Sequence, residues 1–275
     1  MLPRQGLKFL STILITLTLV APAAMARVGV TSSRDPVRLV INIPSRTLWV
    51  YEGERIVRYF PVGVGRPGFM TPTGQFSIIR KIVDPGWEHP YQPKGKTRIA
   101  PGENNPLGTR WMGFYQKGGG EYGMHGTDNP SSVGKFSSHG CVRMKVRDAE
   151  ALFEMVDVGT PVDVVYEPVL IRPQGRDIRI VVYEDRFKKG MPSAAEIQAK
   201  IMRQYPGAQV TMEKIQAALR QANERPVVVG TLDIGSEMPV ASKSPVQEHP
   251  STRSSPFEPA GTPQLSGTSK TSPSN

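Results

Sequence analysis

Three side chains able to do covalent chemistry fall within a short stretch of this 275-residue chain. Cys141 is its only cysteine, and two of its four histidines, His125 and His139, precede it by sixteen and two positions. A thiol reacts as its thiolate, and an imidazole within reach that takes the proton turns it into a nucleophile. A lone cysteine can also be an inert buried residue or half of an intermolecular bridge. The flanking Ser138-His139-Gly140 speaks against inert burial, since an apolar site would not take those neighbours. His125, His139 and Cys141 could also supply three ligands to zinc, but their spacings match none of the usual short ligand pairs, so no metal and no cofactor is expected. Spacing alone does not choose between the two histidines as base. Gly140 lets the backbone turn before the thiol and leaves N–H groups to hold an oxyanion, while Gly126 leaves space beside His125. Arg143, two residues beyond the thiol, suits either a substrate carboxylate or a structural salt bridge.

The elements that must carry these groups are mostly strands. Val37, Leu39, Ile41 and Ile43 alternate with Arg38 and Asn42, which predicts a half-buried strand. Thr47 to Tyr51 and Arg55 to Val64 extend it to an antiparallel meander, and Gln75 to Val83 reads as one further strand. Residues 84 to 106 have no usable period and contain five prolines and three glycines. With Trp87, His89 and Tyr91 inside it, this stretch reads as a lid over a cleft. Leu107 to Tyr115 and Tyr122 to His125 are strand-like, Asp148 to Val156 suggests a helix, and Val162, Val164 and Tyr166 alternate in a last strand. Residues 37 to 167 are thus expected to form one mainly β domain with a short helix.

Beyond Pro168 a small α+β module is expected over residues 168 to 230: a hairpin around Gln174-Gly175, a helix opened by the capping pair Ser193 and Glu196, and a second helix from Thr211 to Asn223. Residues 231 to 275, rich in Ser, Thr and Pro, are expected to be a disordered tail. At the other end, Arg4 and Lys8 before an apolar run, then Ala24-Met25-Ala26, read as a signal peptide over residues 1 to 26. The run is short against the ~20 residues of a spanning helix, so export without a transmembrane anchor is expected, to the periplasm or cell envelope. Cleavage would lower the formal charge from +10 to +8, because the segment holds two basic residues and no acidic one. That excess favours an anionic envelope partner, and no motif for reading nucleic acid accompanies it.

The ordered motifs Thr71-Pro72-Thr73-Gly74-Gln75-Phe76, Asn105-Pro106-Leu107-Gly108, Tyr122-Gly123-Met124-His125-Gly126-Thr127 and Ser138-His139-Gly140-Cys141-Val142-Arg143-Met144 resemble the L,D-transpeptidase catalytic domain. The resemblance covers roughly residues 37 to 167 and implies an L,D-transpeptidase-like β-sandwich. It implies Cys141 as nucleophile and His125 as base, oriented by the backbone carbonyl of Gly126. His139 and Gly140 would shape the loop and oxyanion site, with Arg143, Ser138, Tyr122 and Met124 toward the substrate. Arg143 stands where some members carry asparagine, and no peptidoglycan-binding repeat accompanies the domain. The implied substrate is a peptidoglycan tetrapeptide stem. Its third-residue carbonyl would pass through a Cys141 thioester to an amine of another stem, to an exported protein, or to water, which would make the enzyme a hydrolase. Carbapenem-type β-lactams are the implied inhibitors. A non-catalytic wall-binding protein of the same fold is the contrasting expectation.

Overall fold

The computed structural model describes residues 35–88, 98–118 and 120–232. The expected signal peptide, His89 and Tyr91 of the expected lid, and the tail beyond Leu232 lie outside the described residues.

The described residues open with β1 (Val37–Asn42), β2 (Thr47–Glu52) and β3 (Arg55–Pro61), the expected antiparallel meander. The third strand stops earlier than its pattern suggested. Gly63 leaves the meander to exchange backbone hydrogen bonds with Arg143 at 2.8 Å in both directions, and β4 (Val64–Gly65) pairs elsewhere. The run Gln75 to Val83 also divides, into β5 (Gly74–Ser77) and β6 (Arg80–Val83), which belong to different sheets. Ile78, fully buried at the crossing, anchors the corner. Next come β7 (Trp87–Glu88) and β8 (Arg98–Ile99), a short antiparallel ribbon inside the stretch expected to be a lid. They are followed by β9 (Arg110–Lys117), β10 (Gly120–His125), β11 (Phe136–Ser138), β12 (Val142–Arg143), helix α1 (Val146–Met155) and β13 (Pro161–Val165).

These strands make two facing layers, a β-sandwich. One sheet has the order β3-β2-β1-β13-β5 and the other β12-β10-β9-β6, while β11 joins β4 in a two-stranded piece. The core between the layers follows strand alternation: Leu39, Ile41, Leu48, Val50, Val162 and Val164 from one sheet meet Met112, Phe114, Met124 and Val142 from the other. Helix α1 closes the end with Ala149 and Leu152.

The remainder comprises β14 (Val169–Gln174), β15 (Asp177–Val182), α2 (Ala194–Gln204), β16 (Ala208–Val210), α3 (Met212–Gln221) and β17 (Pro226–Leu232). Its sheet has the order β14-β15-β17-β16. Ser193 and Glu196 form the capping box that opens α2, with the Glu196 N–H donating to Ser193 Oγ and the Ser193 N–H to the Glu196 carboxylate. Two of the four strands, β16 and β17, were not anticipated, and β17 carries ordered backbone two residues into the segment expected to be tail. This module has its own core, where Ile171, Ile178 and Ile180 meet Ile197, Ile201 and Ile215 of the helices.

The opposite face of the module's hairpin corrects the reading of β1 as half-buried. Leu170, Val181 and Tyr183 pack on Val40, Trp49 and Tyr51, so the face of β1 that reads as solvent-facing is covered. Asn42, fully buried there, is satisfied by two bonds to the backbone of Glu167, from its Nδ2 to the carbonyl at 3.0 Å and from the N–H to its Oδ1 at 2.9 Å.

Candidate functional site

The sheet β12-β10-β9-β6 has one face in the core and one toward a cleft, and its register decides which residues meet. In the parallel pair β10 and β12, Met124 stands beside Val142 and His125 beside Arg143. Met124 and Val142 are fully buried in the sandwich core, so His125 and Arg143 share the other face, and Cys141, two residues before Arg143, continues it. The register thus sets His125 on one strand and the thiol just before the next on a common face, where Cys141 Sγ donates to the Glu121 carbonyl at 3.8 Å. Met124, expected near substrate, is corrected to a core residue, because the alternation that turns His125 outward turns it inward.

His125 is buried and held from two sides. Its Nδ1 lies 2.5 Å from the carbonyl oxygen of Gly126. A carbonyl only accepts, so Nδ1 carries the proton and Nε2 is left as the basic nitrogen. The Trp111 indole, opposite it on β9, stacks on the imidazole with ring centroids 5.6 Å apart and planes 21° from parallel. Burial lowers the His125 pKa to about 4; the Gly126 carbonyl acts the other way, and the charge of Arg143 adds to the lowering. Burial likewise raises the pKa of Cys141, opposed by the Gly123 backbone and Arg143. At neutral pH the resting pair is therefore thiol and neutral imidazole.

Gly126 is itself supported by close backbone packing. Gly108, at φ +61°, lies so near that a Cβ placed on it would be 2.9 Å from the Gly126 Cα. Asn105, fully buried, fixes that approach by donating to the carbonyls of Pro85 and Ala100 and accepting from the Leu107 N–H. The sequence motif around Asn105 thus acts on the carbonyl that orients His125.

The loop before the thiol is tied by Ser138, whose Oγ donates to the Cys141 carbonyl at 2.5 Å and accepts the Gly140 N–H at 3.0 Å. This corrects two expectations. Ser138 is buried and its hydroxyl is spent inside the loop rather than on substrate, and the Gly140 N–H is engaged rather than left for an oxyanion. Gly140 has φ +114°, and a Cβ there would meet the Tyr122 ring at 2.6 Å. Half-buried Tyr122 stacks on Tyr115, packs against the sandwich core and braces the loop at Gly140. His139 is exposed, with its Nε2 accepting from Arg66 at 2.8 Å and its ring edge-on to Phe69. Of the two histidines, only His125 shares the thiol's sheet face. Arg143 forms no ion pair with the described residues.

The thiol opens into a cleft of about 640 Å³ lined also by Arg80, Trp87, Trp111 and Glu121. The short β7-β8 ribbon thereby reaches the cleft through Trp87. Glu121 and its partners were not singled out in the sequence. Its carboxylate accepts from Arg80 Nε (2.8 Å) and Nη2 (2.6 Å), Trp111 Nε1 (2.9 Å) and Gln116 (3.4 Å). Burial would raise its pKa, but the Arg80 and Trp111 hydrogen bonds outweigh burial and hold it below the usual range. Two facing glycines give these groups room: a Cβ on Gly113 would strike Glu121 Oε1, and one on Gly123 would lie 2.6 Å from the indole. Period-two alternation running back from His125 through Gly123 to Glu121 was the available signal. Among the described residues, no three His, Cys, Asp or Glu side chains converge as a metal-ligand set.

Residues 36–164 match the L,D-transpeptidase catalytic domain. YqjB of Bacillus subtilis is 38% identical over 126 residues, which are 45% of this chain and 68% of that protein. YkuD of Bacillus licheniformis is 35% identical over 129 residues, 47% of this chain and 66% of its own length. Both relatives are named as L,D-transpeptidases. Each match spans about two thirds of the relative and under half of this chain. Among solved structures, that of the L,D-transpeptidase LdtMt1 in complex with imipenem aligns over 48% of this chain and 59% of its own, at 22% identity and a TM-score of 0.39. On the strength of these sequence matches, the chain belongs to the L,D-transpeptidase family.

Proposed function

We propose that this protein is an exported cysteine L,D-transpeptidase that acts on peptidoglycan stem peptides in the periplasm or cell envelope, with Cys141 as nucleophile and His125 as general base. The observation that carries the reading is the pairing of a cleft-facing thiol with a buried imidazole whose tautomer is fixed by Gly126, leaving Nε2 unprotonated on the same sheet face.

In this reading Cys141 Sγ attacks the third-residue carbonyl of a tetrapeptide stem as its proton passes to His125 Nε2. The C–S bond forms and the carbonyl electrons move to oxygen. The imidazolium is stabilised by the Gly126 carbonyl at Nδ1, and the positive charge of Arg143 favours the thiolate. With the Gly140 N–H engaged, the loop donor for the oxyanion is the N–H of Cys141 itself. Collapse breaks the amide C–N bond, His125 protonates the departing D-alanine amine, and a thioester remains. An amine from a second stem or from an exported protein then attacks with His125 again taking a proton, and Cys141 leaves. Water at that step gives a tripeptide instead.

Because the resting pair is neutral, thiolate forms only as substrate is attacked, which spares an exported thiol from oxidation between turnovers. The test is mature protein with tetrapeptide muropeptides, followed by mass spectrometry. Dimers or tripeptides that have lost D-alanine are expected from the wild type and from no Cys141→Ala sample. A carbapenem is expected to add its mass to the wild type alone. A folded wild-type preparation that yields no dimer, no tripeptide and no adduct would sink the proposal.

A further inference from the structure

On the cleft side of the β12-β10-β9-β6 sheet, the register sets out a floor of two facing glycines, covered by the Trp111 indole and the Glu121 carboxylate, with a thiol at one edge and a guanidinium at the other. Gly123 on β10 faces Gly113 on β9, and Arg80 on β6 faces Gly113 from the far side. Cys141 bounds the floor at one edge and Arg80 at the other, and both line the same cleft. The Arg80 side chain is 54% exposed, whereas that of its partner Glu121 is 11% exposed.

This asymmetry is what a preorganised anion site needs. The Glu121 carboxylate already has four donors, namely two nitrogens of Arg80, the Trp111 indole and Gln116, so it has no lone pair left to hold an incoming ammonium. Arg80 is in the opposite position. Two of its five N–H groups are spent on Glu121, and the side chain that carries the rest is half-exposed and lines the cleft. An exposed arginine ordinarily loses rotamer freedom when it binds. Here the two-pronged contact with a buried, fixed carboxylate has removed much of that freedom beforehand. The other cation of the cleft, Lys117, forms no ion pair with the described residues and so has no comparable anchor.

We propose that Arg80, held in place by Glu121, is a substrate-recognition residue that binds a carboxylate of the acyl-donor stem while its third-residue carbonyl lies at Cys141. This rests on the transpeptidase reading above. Two stem carboxylates have the right chemistry: that of the departing D-residue, and the side-chain carboxylate of a diamino-acid third residue. Strands are spaced ~4.8 Å apart. The Arg80 head, drawn over the β9 glycine by Glu121, therefore sits about two strands from Cys141, within the span of either group.

The experiment compares three soluble tetrapeptide donors: the free acid, the amide at the terminal D-residue, and the amide at the third-residue side chain. Specificity constants are measured for wild type, Arg80→Gln, Arg80→Lys and Arg143→Gln, with thermal unfolding to confirm folding. Wild type is expected to prefer the free acid by about 10- to 100-fold over one of the amides, and which amide suffers identifies the carboxylate. Arg80→Gln removes that preference, and Arg80→Lys restores part of it. A general loosening of Trp111 and His125 would instead slow all three donors alike and leave the ratios intact. The proposal is overturned if wild type turns over acid and both amides equally, if Arg80→Gln keeps the wild-type ratios, or if the preference disappears in Arg143→Gln and survives in Arg80→Gln. Should wild type fail with every donor and form no carbapenem adduct, the transpeptidase reading falls instead, a separate and recognisable outcome.

Discussion

Two sheets in this molecule are built to opposite ends. On the cleft face of the sheet holding His125, two glycines stand face to face and the space above them is filled by Trp111 and the Glu121 carboxylate. In the sheet of the C-terminal module, Ile171, Ile178, Ile180 and Val229 meet two helices, and Leu170, Val181 and Tyr183 on the other face meet the catalytic domain. The second is apolar on both sides and makes packing. The first packs one face into the core and on the other sets two glycines between its larger residues, so that the Trp111 ring and the Glu121 carboxylate can lie across the backbone. The sheet that carries the candidate site is thus marked by what it omits.

The contrast predicts that substitutions in the two sheets separate activity from stability. The largest effect is expected from His125→Gln, which should lower turnover about 1,000-fold while leaving a folded protein, measured as donor consumption alongside thermal unfolding. Ile180→Ala, in the module core, should do the reverse: a loss of about 3 kcal/mol in urea unfolding with the rate per folded molecule unchanged. A fall in that rate would show that the module reaches into the site. The buried imidazole, proposed as the base, links the two properties. Its folded pKa of about 4 lies below the ordinary 6.5, so the unfolded chain takes up the proton first and stability falls as pH drops from about 6.5 to 4. Between pH 7 and pH 4 the wild type should lose about 3 kcal/mol more than His125→Gln, and equal losses would mean the imidazole is not buried neutral. The smallest effect is expected at the module's helix cap, where Ser193→Ala should lower Tm by about 3 °C with activity untouched.

Much of this was legible in the residues because it is written in local signals. The alternation from Val37 to Ile43, the Ser193 and Glu196 cap, and the thiol with its glycine-flanked histidines each declare themselves within a few positions. What escaped depends on partners distant in sequence. Whether the run from Gln75 to Val83 is one strand or two is decided by which sheets wait on either side of Ile78. The covered face of β1 needs a hairpin more than 120 residues later, and Met124 and Ser138 lie in a functional motif yet serve the core and the loop. Arg80, Trp111 and Glu121 are spread over 42 residues and become a group only through register.

The position of β13 has a bearing on how the chain comes to be folded at all. It lies between β1, its parallel partner, and β5, so the five-stranded layer stays split until residues 161 to 165 arrive. Such a late, non-local insertion slows closure, because the long loop must be ordered before the pairing rewards it. The strand edges flanking the gap remain open until the segment that seals them is in place, and a chain truncated before Pro161 would keep those edges exposed and prone to self-association.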